Sequence, residues 1–219
     1  MTEPESRAAK LLGGDSFSFA DAIGGWRGLI ESALPGVAFV IAVLIADDWR
    51  IPAAAALAVV AILVIIRLIQ RSPVTQALSG VIGVLIGAFW AWRTGTSTGY
   101  LGPKLFFNAA YAVGILISMA VRWPVAGVVM GFVHGTGTAW RSDAVQMRAA
   151  QWGSAVLVGM FALRLAVQTP LYFADEAAVL GTVNLLMGLP LFALTLWIVW
   201  LLVKNVGRKQ EPQDQHPQT

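Results

Sequence analysis

RLIQRSPVTQALSGVIGVLIGAFWAWRTG, residues Arg67 to Gly95, decides the fold class, because one apolar run ends in it and another begins. Arg67 and Arg71 are four residues apart and share a face if the chain is helical there. Pro73 then removes a backbone donor and pushes Ser72 out of helical geometry. Beyond it, Gly83 and Gly87 repeat at helical spacing inside a new apolar run and leave one side open to close helix approach. A helix exit, a basic hinge and a glycine-lined helix entry in so short a space read as membrane architecture. The lettering returns: Ile66 to Val74 can be laid over ISMAVRWPV at Ile117 to Val125 and over LRLAVQTPL at Leu163 to Leu171, a weak internal repeat.

Composition supports the same class. The 219 residues are 57% hydrophobic and 12% charged, against about a quarter charged in soluble domains. The net charge of +3 is small, and its placement in short connections points to orientation and to anionic lipid headgroups rather than to nucleic acid. The chain has no cysteine, which excludes disulfides, thiolate nucleophiles and cysteine metal sites. The first 27 residues carry Glu3, Glu5, Asp15 and Asp21 without an apolar run and are not a secretory signal.

Six apolar runs follow: Gly28 to Ala46, Ile51 to Ile69, Ala77 to Trp92, Lys104 to Val121, Gln151 to Phe173 and Thr182 to Val203. Most approach the roughly 20 residues that cross a bilayer core. They predict an all-α, polytopic transmembrane bundle of six spans over residues 28–204. A cytoplasmic tail, 1–27, precedes it, with Phe17, Phe19, Ile23 and Trp26 at the headgroup level. A polar, disordered tail, 205–219, follows it. Pro124 to Thr138 is apolar only to about His134, too short to cross, and is expected to be a half-helix between spans four and five, re-entrant or interfacial. There Gly127, Gly131 and Gly135 repeat every four residues. With the N-terminus inside, eleven Lys and Arg fall in cytoplasmic segments and three, Arg50, Arg93 and Lys104, outside; this asymmetry places both termini in the cytoplasm. The partners expected are the bilayer, its anionic headgroups, and a membrane protein or a second copy of the chain.

Several stretches, ESALPG at Glu31 to Gly36, RSPVTQALSG at Arg71 to Gly80, GAFWAWRTG at Gly87 to Gly95, FNAAY at Phe107 to Tyr111, RWPVAG at Arg122 to Gly127 and FALRLAVQTPLY at Phe161 to Tyr172, carry a resemblance. Over about Gly25 to Lys204 the chain resembles an uncharacterised family, a domain of unknown function, of multi-span inner-membrane proteins from high-GC Gram-positive bacteria. That family is distantly similar to the intracellular septation protein A group. The resemblance implies a polytopic plasma-membrane protein and no reaction, cofactor or active-site residue.

Arg164 is the strongest candidate for a functional residue, since a guanidinium inside a span costs at least about 2.5 kcal/mol unless it meets water or a partner. Gln168 lies one turn on, and Asn108, Tyr111 and Asn184 fall at similar depth. The five are expected to form a polar cluster, either a site for an anion, headgroup or polar solute or a set of interhelical hydrogen bonds. At the cytoplasmic side Glu31 is level with Arg67, Arg71 and Arg122, an expected ion-pair cluster. Lone His134 does not make a metal site, and no set of acid, base and nucleophile is apparent. No catalytic residue, metal or cofactor is expected. Most tryptophans, Trp140 among them, are expected as interfacial anchors, and Pro35, Pro103 and Pro190 as kinks or helix starts. The chain is thus expected to be a non-enzymatic membrane scaffold or an envelope- or division-associated factor, with a small permease as the alternative.

Overall fold

The computed structural model describes residues 25–46, 48–70, 75–133, 135 and 137–207. Its helices are α1 (Gly25–Ile45), α2 (Arg50–Ile69), α3 (Thr75–Thr94), α4 (Gly102–Ala120), α5 (Val125–Val133), α6 (Ala144–Phe173), α7 (Ala177–Leu186) and α8 (Leu189–Gly207). Short 3-10 turns stand at Thr98–Leu101 and Ala139–Arg141. No strand occurs among the described residues, so the chain is all-α as expected. Four stretches are long and apolar enough to cross a membrane: Arg50–Ile69, Thr98–Ala120, Ala144–Phe173 and Ala177–Leu202. Large apolar side chains are exposed along the helices, among them Leu44, Ile69, Phe106 and Phe173. A surface this apolar belongs in lipid, where outward-facing side chains need no cover from water.

The helix of the fifth span starts at Ala144, capped by Asp143, whose carboxylate accepts from Val145 N at 2.7 Å; Ser142 and Asp143 are the caps the sequence offers for a helix running through Met147 and Arg148 into that span. The helix limits depart from the sequence reading in three places. The sixth span, expected as one helix, is broken between Leu186 and Leu189. Pro190 has no N–H to continue the ladder, and the chain turns through Gly188, whose N–H reaches back to the Leu185 carbonyl at 3.2 Å. Gly135 does not share a helix face with Gly127 and Gly131, because α5 ends before it and its φ is +65°. The repeated proline exit is also uneven: Pro124 starts α5, whereas Pro170 lies inside α6, and Pro73 is outside the described residues.

The chain forms two compact units. The first joins Met1–Ala109 to Leu163–Leu191. Its core packs α2 against α1 and α3, and α1 against α7, around Phe39, Ala56, Val60, Val84, Ala91, Tyr100, Leu101 and Leu180. Phe39 and Tyr100 stack with centroids 4.3 Å apart. Small residues allow the approach: a Cβ on Gly87 would stand 2.9 Å from the Tyr100 carbonyl oxygen, and one on Gly181 2.7 Å from Val40 Cγ2.

The second unit joins Ala110–Ala162 to Phe192–Thr219. At the end of α4, Trp123 N bonds to Ser118 O at 2.9 Å and Arg122 N to Met119 O at 3.1 Å. This is the paired bonding of a Schellman helix stop. The chain then enters α5, and the Ala126 N–H, which has no partner in its own helix, is taken by the Ser154 hydroxyl at 3.1 Å. Gly127 and Gly131 are covered by Trp140, 1% exposed, which is therefore a core residue and not the interfacial anchor its sequence context suggested. Gly83, in contrast, has nothing within 4 Å of a Cβ position. Gly131→Ala would press on the Gly137 carbonyl and the Trp140 ring and should cost about 1–3 kcal/mol. Gly83→Ala should leave thermal unfolding in detergent unchanged or raise stability by up to about 1 kcal/mol.

Candidate functional site

Arg164 sits on α6, two turns before its end, and reaches the break between α7 and α8. Its Nη2 donates to the Gly188 carbonyl oxygen at 2.7 Å. The chemistry explains the contact: a helix break leaves carbonyls without i+4 partners, and a guanidinium is a strong multiple donor for them. Nη2 is thereby satisfied, whereas Nε is buried and has no hydrogen-bond partner among the described residues.

The other members of the expected polar cluster divide. Gln168, 2% exposed, Asn108, 8% exposed, and half-buried Asn184 belong with Arg164 to the first unit. Tyr111 belongs to the second, where its ring lies 5.6 Å from that of Phe161. In the expected ion-pair cluster, Arg67 donates to Glu31 Oε2 from Nε at 2.9 Å and from Nη2 at 2.5 Å. Both side chains are largely shielded, at 14% and 13% exposure. This pair joins the start of α1 to the end of α2 and fixes them antiparallel. Arg71 lies outside the described residues, as does His134, and Arg122 belongs to the second unit.

At the opposite end of α1 the first unit has an open cavity of about 360 Å³, lined by Val43, Trp49, Thr96, Ser97, Asp175 and Glu176 among others. Asp175 ends α6 in the left-handed region, φ 56°, and accepts from the Thr98 hydroxyl. Asp tolerates this conformation better than most residues. Its partner lies far away in sequence, so no local motif announces the contact. Among the described residues no group of three His, Asp or Glu side chains comes together.

The Glu31–Arg67 pair is open to a direct test. Arg67→Leu removes both Arg67 bonds from a shielded carboxylate and should cost about 2–3 kcal/mol. Glu31→Leu with Arg67→Leu should cost less than the sum of the two single changes, with a coupling of about 1–3 kcal/mol from thermal unfolding of the four proteins in one detergent.

No match was found among curated proteins or among solved structures. Residues 23–210 match the family described as protein of unknown function (DUF3159). That match takes in both units and the broken span with its arginine, and the chain therefore belongs to the DUF3159 family.

Proposed function

We propose that the chain is a non-enzymatic integral plasma-membrane protein acting as a scaffold or as an envelope- or division-associated factor. The observation that carries this reading is the bond from Arg164 to the Gly188 carbonyl. The charge is directed at the protein's own backbone and fastens α6 to a break in the following span, which is structural work. The link to division rests on the resemblance to the septation protein A group and on no site geometry.

The reading includes six crossings with both termini inside. Four are the long apolar stretches; the other two are α1 and α3, with 21 and 20 residues, about 30 Å of helix each. At nine residues, α5 is about 13 Å long and falls short of the roughly 30 Å hydrocarbon core. The excess of Lys and Arg on one side sets the orientation. With no native cysteine, single substitutions report topology: Ser142→Cys should react with a membrane-impermeant maleimide only after cell lysis, and Asp175→Cys in intact cells. External labelling of Ser142→Cys would overturn the six-span arrangement.

A second reading, a small permease or channel-like protein for a polar or anionic solute, is favoured by one observation. Arg164, part-buried, faces a discontinuous span with its Nε buried and without a hydrogen-bond partner among the described residues, and discontinuous spans are where many transporters build a substrate site. The two readings separate on Arg164→Gln, purified in detergent and screened against ions and phosphorylated metabolites. The scaffold reading expects a loss of about 1–3 kcal/mol in stability and no ligand-dependent shift in either protein. A solute that stabilises wild type but not the variant would replace it with the permease reading.

A further inference from the structure

The second unit carries a cationic, aromatic corner that the broken span does not use. Arg122 follows α4 with φ 58°, in the position of a Schellman stop normally taken by glycine. A side chain there crowds the backbone, so the conformation argues against arginine at this point. Trp123 is next to it and 42% exposed. The guanidinium carbon of Arg141 lies 4.3 Å from the Trp123 ring centroid. Trp123 in turn meets the buried Trp140 edge to face, with centroids 6.3 Å apart. Arg141 thus stacks on an indole that is itself propped by the core, and Arg122 is that indole's immediate neighbour along the chain. Among the described residues neither guanidinium has a side-chain hydrogen bond or ion pair. The nearest acid in sequence, Asp143, is occupied in capping α6.

An apolar strip begins beside this corner. On α5 the side toward Trp140 is glycine and alanine, while Val128, Val129 and Phe132 face outward at 45%, 55% and 88% exposure. A guanidinium stacked on an indole keeps its N–H edges available for bidentate bonds to a phosphate. An apolar helix face beside it suits an acyl chain.

We infer that Arg122, Trp123, Arg141 and the outer face of α5 form a docking site for an anionic glycerophospholipid, its phosphate between the two arginines and an acyl chain along Val128, Val129 and Phe132. Charge complementarity selects the anionic lipid, and the apolar strip selects a lipid over a free phosphate. The strain at Arg122 gives the inference a signature that a structural arginine lacks. Arg122→Gly relaxes the helix stop, so it should raise the thermal midpoint by a few degrees while weakening lipid binding.

The test uses the full chain, delipidated in neutral detergent and titrated with phosphatidylglycerol or phosphatidylcholine, with bound lipid counted by native mass spectrometry. Wild type should prefer phosphatidylglycerol. Arg122→Gly and Arg141→Gln should each weaken that lipid about 5-fold, since a basic residue at an anionic surface is worth about 1 kcal/mol. Arg93→Gln, exposed at the end of α3, should leave it unchanged. Equal binding of the two lipids, an undiminished preference in the Arg122→Gly/Arg141→Gln protein, or displacement of the lipid by millimolar glycerol phosphate would each overturn the inference. A lower midpoint for Arg122→Gly would do so as well, by removing the strain on which it rests.

Discussion

Every backbone N–H and C=O inside hydrocarbon needs a partner, because no water is there to supply one. The break at residues 187–188 is where this chain meets that constraint most directly. Gly188 and Pro190 stop α7 and restart the helix as α8 within one apolar stretch, and Arg164 supplies a donor to the Gly188 carbonyl. The arginine is costly in lipid without a partner, and the break is costly without a donor; together each offsets the other. Asn184, Gln168 and Asn108 lie in the same unit.

The glycines divide by what they face. Gly36, Gly87 and Gly181 admit Leu185, Tyr100 and Val40, and Gly127 and Gly131 admit Trp140. These positions are used within the chain. Gly83, Gly114 and Gly159 have nothing within 4 Å. The same residue type therefore serves close packing at one set of positions and leaves helix surface bare at another. Spacing along a helix does not separate the two cases, since Gly83 and Gly87 are one turn apart and differ.

Helix class and the existence of most elements were legible because an apolar run of roughly 20 residues matches the thickness of a bilayer core and exceeds what a buried strand needs. Glu31 was legible as a partner for Arg67 because charges at equal depth on neighbouring spans seek each other. The break in the last span was only half legible. Pro190 signalled a kink, but the hydropathy stays high through Met187 and Gly188, and length alone favoured one helix. Trp140 was misjudged for a related reason: a tryptophan near a span end is usually interfacial, and only the position of Gly127 and Gly131 against it shows a core residue. Thr98 on Asp175 joins residues distant in sequence, which no local pattern encodes. The grouping of Tyr111 apart from Arg164 has the same origin.

The Trp140 cradle also bears on how the chain is made. Gly127, Gly131 and Trp140 lie within one short stretch, so α5 and the turn after it can close on each other at little loop entropy. Most core residues of the first unit lie on α1, α2, α3 and the turn at Thr98–Leu101, and only Leu180 is supplied by α7, which is synthesised after α6. During synthesis the segment can therefore close as a hairpin on its own, after the helices before it have met and before α7 completes their core with Leu180.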